Sequence, residues 1–138
     1  MKRCIELAAE AKANHKTAVG SVLVLKDEIL AEAMEGEDFL PAIMSHAENL
    51  AILKAIEKLG HRNLSEAVLY TTVEPCFMCA YLIRQTKIKQ VVYGATTPAG
   101  GDSSAYPILT ANDVKSWSKP PIIIAGFEQE ACEKLLKK

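Results

Sequence analysis

The sequence predicts an α/β fold: a mixed, five-stranded sheet with helices on both faces. Two observations lead there. The 138 residues are 49% hydrophobic and 24% charged, the ordinary make-up of one soluble globular domain. Strand-like and helix-like segments then follow in the order α-β-β-α-β-α-β-(α)-β-α. An opening hairpin followed by alternating strands and helices implies a mixed sheet covered on both sides.

Residues 1 to 15 set Ile5, Leu7, Ala8, Ala9 and Ala11 among charges, as in an amphipathic helix. Val19 to Leu25 is β-rich and almost continuously apolar, the pattern of a strand covered on both faces. Lys26-Asp27-Glu28 breaks it, and Ile29 to Met34 returns as the second strand of a hairpin, followed by a loop over 35–44. Ser45 is placed to cap a helix running to Leu59, with Glu48 as its capping-box partner. Leu50, Leu53, Ile56 and Leu59 form the apolar face of that helix, and Gly60 ends it. Ala67 to Thr72 reads as the third strand. Pro75 suits the first turn of a helix reaching Thr86. Ile88 to Tyr93 is the fourth strand. Residues 94–120 read as loop with one or two short helical turns. Ile122 to Ala125 is the fifth strand, and Glu128 to Lys137 a closing helix.

Sixteen Lys+Arg stand against 17 Asp+Glu, for a net charge of -1. Dedicated nucleic-acid binders ordinarily carry a basic excess or stripe. Here only Lys134, Lys137 and Lys138 gather, on a terminal helix where a solvated face accounts for them. The chain shows no apolar run of membrane-spanning length and begins as helix, so a cytoplasmic protein with no membrane partner is expected.

The chemistry-bearing residues are His46-Ala47-Glu48 and Pro75-Cys76-Phe77-Met78-Cys79. One imidazole and two thiolates make three zinc ligands. Structural zinc sites close all four positions with protein, whereas catalytic ones keep one open. A lone Cys-x-x-Cys can also be a redox pair or half a zinc ribbon. A ribbon needs a second such pair, which the chain lacks, and a redox pair leaves His46 and Glu48 without a purpose. The two motifs are 30 residues apart, each at the beginning of a helix. Helix amino ends favour thiolate over thiol. Cys4 and Cys132, near opposite ends of the chain, read as buried free thiols rather than a disulfide.

On these motifs the chain resembles the cytidine/deoxycytidylate deaminase superfamily, over nearly its whole length. The stretches Ala18–Val24, Leu69–Cys76 and Val91–Ala95 resemble the branch of guanine deaminase, fungal cytosine deaminase and tRNA adenosine deaminase. The resemblance implies a three-layer α/β/α cytidine-deaminase-like fold with a parallel final strand pair. It implies one zinc-dependent deaminase domain over residues 1–138, with a single Zn2+ held by His46, Cys76 and Cys79. Glu48 would shuttle protons while zinc-bound hydroxide attacks an amino-bearing ring carbon and ammonia leaves. The resemblance further implies a hydrolase of C–N bonds in cyclic amidines and a homodimeric assembly.

Two departures bear on the substrate. The branch usually places an asparagine eleven residues before the zinc histidine, in contact with substrate; here the position is Glu35. An ionised carboxylate only accepts hydrogen bonds, so a Glu35 facing the pocket selects N–H, O–H or cationic groups. The alternative is a shifted loop with Glu35 in solvent. The tRNA-editing members also carry an arginine-rich final helix, which is absent here. The expected substrate is therefore a small nucleobase or nucleoside of guanine or cytosine type. The alternatives are tRNA adenosine and, in another class, a catalytically silent zinc-containing assembly subunit, against which Glu48 argues. Ala47, Pro75, Phe39, Tyr106 and Trp117 complete the candidate substrate contacts.

Overall fold

Lys26 and Asp27 both adopt positive φ, 51° and 63°, between paired Leu25 and Glu28. That is the backbone of a two-residue hairpin turn whose twist matches its strands. It joins β1 (Gly20–Leu25) to β2 (Glu28–Met34), with one register shift between Leu23 and Val24. The computed structural model describes residues 1–37 and 40–138. Its other elements are α1 (Lys2–Ala13), α2 (Ala47–Leu59), β3 (Val68–Val73), α3 (Phe77–Thr86), β4 (Gln90–Ala95), β5 (Ile122–Ile124) and α4 (Gln129–Leu136).

The five strands lie in the order β2-β1-β3-β4-β5. β1 is antiparallel to β2 and β3, while β3–β4 and β4–β5 are parallel. The sheet is thus mixed, with a parallel final pair. Helices α2 and α3 cover one face, burying Leu50, Ile52, Ile83, Leu69 and Val91 in the main core. Helices α1 and α4 cover the other, where Cys4 and Leu7 pack on Val22. The close approach of α4 requires a bare strand: a Cβ on Gly94 would lie 2.3 Å from Cys132 Sγ. Cys4 and Cys132 are both free and buried.

The outer edge of β2 is answered by the chain's own side chains. Lys54 Nζ donates to Glu32 O (3.0 Å) and Lys58 Nζ to Leu30 O (3.5 Å). Met34 N–H donates to Glu37 Oε1 (2.8 Å), and the other oxygen of Glu37 takes Lys54 Nζ at 2.6 Å.

Three local expectations are corrected. Ser45 does not cap α2, because its hydroxyl is spent on the preceding 3-10 turn, donating to Leu40 O (2.6 Å) and Pro41 O (3.1 Å). His46 occupies the N-cap, and Glu48 turns inward, 4% exposed, rather than back to the helix end. Pro75 is not in the first turn of α3: Cys76 is the N-cap, held extended (φ -69°, ψ 177°) by its bridge to Gly100. Between β4 and β5, as expected, the described residues form loop with single hydrogen-bonded turns, at Pro107–Ala111 and Val114–Trp117. That segment is held from outside, by Arg84. At the other end of α2, Gly60 (φ 76°) ends the helix as expected.

Candidate active site

His46 and Cys76 stand at the amino ends of α2 and α3, two helices packed on one sheet face. Cys79 follows one helical turn later, so both thiols and the imidazole converge. His46 Nδ1 lies 3.4 Å from Cys76 Sγ and 3.5 Å from Cys79 Sγ, and the two sulfurs are 3.6 Å apart. Tetrahedral zinc with ordinary Zn–S and Zn–N lengths sets these separations at about 3.6 Å for N···S and about 3.8 Å for S···S. The donor atoms therefore sit at ligand spacing, and the three residues are positioned to bind one zinc. Among the described residues this is the one such convergence of His, Cys, Asp and Glu side chains.

The thiols cannot both ionise unaided. The hydrogen bond from the Cys79 thiol holds Cys76 down to about 5. The same contact, with burial, drives Cys79 far above the ordinary thiol range. The pair shares one proton, and a cation is what permits two thiolates.

Glu48 lies beside the trio. Its Oε2 is 3.8 Å from Cys79 Sγ, and its Oε1 accepts from Thr71 Oγ1 at 3.4 Å. Ser21 Oγ in turn donates to Thr71 Oγ1 at 2.9 Å, so residues of β1 and β3 orient the carboxyl. Burial is the main cause that pushes Glu48 up to about 8. A carboxyl that readily carries a proton suits acid/base work near neutral pH.

Glu35 immediately follows β2, and its Oε2 accepts the Ala47 N–H at 3.1 Å. His46 makes no side-chain cap bond, so Glu35 supplies the acceptor the amino end of α2 lacks. Burial raises its carboxyl, opposed by the charge of His46. It is thus half-buried at the metal trio rather than free in solvent.

The other candidates separate. Ala47 is fully buried, presenting its N–H to Glu35. Pro75 gives its carbonyl to Gly101 N–H at 2.8 Å. Tyr106 is exposed, edge-on to Phe77 at 6.1 Å. Trp117 is occupied by packing, with the Arg84 guanidinium 4.8 Å from its ring centre and Tyr81 at 6.0 Å. Phe39 lies outside the described residues.

Sequence reasoning missed Glu74. It is 1% exposed beside the metal loop, and its one signal was an acidic residue between an apolar strand and Pro-Cys. It also missed Arg84, a cation on the buried side of α3.

Comparison with known proteins agrees with this geometry. Residues 1–95 match the cytidine and deoxycytidylate deaminase zinc-binding region. The chain is 32% identical to the tRNA-specific adenosine deaminase of Bacillus subtilis (strain 168), over 99% of this chain and 83% of that protein. It is 30% identical to the tRNA-specific adenosine deaminase of Agrobacterium fabrum, over 99% and 89%. Its fold matches a structure from studies of A-to-I editing by tRNA:A34 deaminases at the wobble position of transfer RNA. That match has a TM-score of 0.90 at 29% identity, covering 99% of this chain and 97% of the other. Guanine deaminase from Bacillus subtilis matches at a TM-score of 0.64 and 36% identity, over 69% of this chain and 61% of that one. With a metal trio at ligand spacing and likeness along its full length, the chain belongs to the cytidine and deoxycytidylate deaminase family, as a zinc-dependent hydrolytic deaminase.

Proposed function

We propose that this chain deaminates adenosine in tRNA, as a cytoplasmic homodimer of single-domain subunits. The observation that carries the reading is the extent of the likeness. The tRNA:A34 deaminase structure corresponds end to end, at 99% and 97% coverage, whereas guanine deaminase corresponds over 69% and 61%. This reverses the preference for a small base that the near-neutral charge suggested. A net count reads the sum of the charges and not their placement on a surface.

When bound, zinc supplies a Lewis acid beside which water gives up a proton near neutral pH. His46, Cys76 and Cys79 would hold it. Glu48 takes the proton of the attacking water and delivers it to the ring nitrogen. As the C–N bond breaks, Glu48 takes the second proton of the attacking water from the hydroxyl now on the ring carbon and passes it to the departing amine, so ammonia leaves and a carbonyl remains. Ala47 and Pro75, each next in the chain to a metal-binding residue, bring their backbone close to the trio. Tyr106 and Phe77 offer aromatic faces at its rim. The exposed side chains Met78 and Tyr81 on α3 suit contact with a second subunit.

Glu35 favours a second reading. A carboxylate beside the metal trio, where the branch has an amide, selects a small amino-heterocycle rich in N–H donors. The two are separated by one experiment on zinc-loaded protein. An anticodon stem-loop with adenosine at the wobble position is assayed for inosine, beside guanine, cytosine and their nucleosides assayed for ammonia. The first reading expects inosine from wild type and its formation slowed roughly 10²–10⁴-fold in Glu48→Ala. Ammonia from a small molecule with no inosine would overturn it and install the second.

A further inference from the structure

One buried carboxylate has no part in the chemistry above. Glu74 follows β3 and precedes Pro75-Cys76, and is 1% exposed. Among the described residues no lysine, arginine or histidine forms an ion pair with it. Its charge is met by dipoles alone. Oε1 accepts Ser103 Oγ (2.6 Å) and Thr97 N–H (3.3 Å), and Oε2 accepts Ser103 N–H (2.7 Å) and Asp102 N–H (2.9 Å). Successive backbone N–H groups closed around an anion form a nest, here with the protein's own carboxylate as the anion.

The loop wrapped on Glu74 presses against a metal ligand. Gly100 bridges Cys76, and Gly101 N–H donates to Pro75 O at 2.8 Å. No side chain fits between them: a Cβ on Gly100 would lie 2.0 Å from the Glu74 carboxylate, and one on Gly101 2.6 Å from Ala80 Cβ. Tyr93 Oη donates to Asp102 at 2.6 Å and braces the loop from β4. A continuous path therefore runs from the Glu74 carboxylate through residues 97–103 to the backbone of Cys76.

We propose that Glu74 is a positioning residue for the metal centre, acting through the 97–103 loop to hold Cys76 at ligand geometry. The proposal rests on the His46, Cys76 and Cys79 trio and not on the choice of substrate. Glu74→Gln keeps the volume but turns an amide NH2 toward N–H donors, so at least one side of the nest is lost. Outer partners of metal ligands typically carry roughly 10- to 100-fold in metal affinity.

The test uses metal alone. The cobalt-substituted protein reports ligand geometry through its thiolate-to-cobalt absorption bands, and a chelator competition reports zinc release. Glu74→Gln is expected to shift or weaken those bands and to speed zinc release roughly 10-fold or more. Ser103→Ala, which removes one donor, is expected to do the same to a smaller extent, a few-fold. Glu32→Ala, on the outer strand, controls for general destabilisation and should leave bands and release rate unchanged. Unaltered bands with zinc release within about twofold of wild type in Glu74→Gln would overturn the proposal. If Glu74→Gln does not fold, wild-type bands and release in Ser103→Ala overturn it instead. Inosine formation has no bearing on either readout, so failure of the tRNA reading and failure of this one are distinct.

Discussion

Arg84 offers a stability test whose size can be worked from its contacts. Its Nη1 donates to the carbonyls of Ile108 (3.0 Å), Leu109 (3.3 Å) and Ala111 (2.6 Å), and its Nη2 to Ser118 O (2.8 Å). Arg84→Met fills similar space and donates nothing. The Leu109 carbonyl is fully buried, and leaving it unpaired costs about 1–3 kcal/mol. The other three lie on half-buried residues, where water replaces the lost donor at about 0.5–1 kcal/mol each. Loss of the cation over Trp117 adds about 0.5–1 kcal/mol. Against this stands the cost of holding a guanidinium out of water, visible in its lowered proton affinity and in an Nε with no partner. The net is about 3 kcal/mol, or roughly 10 °C in Tm for a domain of this size. Calorimetry of Arg84→Met beside wild type measures it. Protease cleavage should rise first within 105–118, the segment the guanidinium holds. A Tm within about 2 °C of wild type would refute the reasoning, since it would mean that the carbonyls rehydrate freely.

Three further outcomes are expected. Glu48→Ala should keep its zinc by metal analysis while kcat falls roughly 10²–10⁴-fold, the share a positioned proton shuttle supplies. Gly94→Ala drives a Cβ to 2.3 Å from Cys132 Sγ and 3.0 Å from Thr72 O, and urea unfolding should show a loss of about 1–3 kcal/mol, partly restored by Cys132→Ala. Arg3, paired to Glu32 at 2.8 Å, holds that carboxyl below its ordinary 4.5. The pair's stabilisation is therefore present above pH 4.5 and lost as pH falls through the depressed folded value. Arg3→Ala should lower stability only slightly at pH 7, because the pair is solvent-screened, and the gap from wild type should close in acid and in high salt.

What the sequence made legible was what depends on residue type and period. His46, Cys76 and Cys79 are a ligand set by their chemistry, and strands such as β1 and β4 announce themselves by apolar runs. Contacts made by side chains that compete for one backbone group were not legible. Ser45 and Glu35 can both serve the amino end of α2, and only the fold decides that the 3-10 turn takes the serine hydroxyl and leaves the helix to Glu35. Residues 97–118 carry no period because their order comes from outside the segment, from Glu74 and Arg84. Those two residues look unremarkable in sequence, since a charged side chain held by main-chain groups, a hydroxyl or an aromatic ring has no oppositely charged partner to point at. Total charge does not choose between the substrate readings for a related reason: it says nothing of where each charge sits.

The occupied rim of β2 limits how copies of this chain can meet. Growth of a sheet by strand addition needs a free row of N–H and C=O groups on an outermost strand. On β2, Leu30, Glu32 and Met34 already have Lys58, Lys54 and Glu37 in that row. An incoming strand would have to displace two ammonium groups and a carboxylate before its first ladder bond formed. The opposite rim, β5, is three residues long and gives too short a ladder to hold a neighbour by itself. The molecule is thereby guarded against fusing into continuous ribbons at high concentration, and association is turned toward its helical flanks.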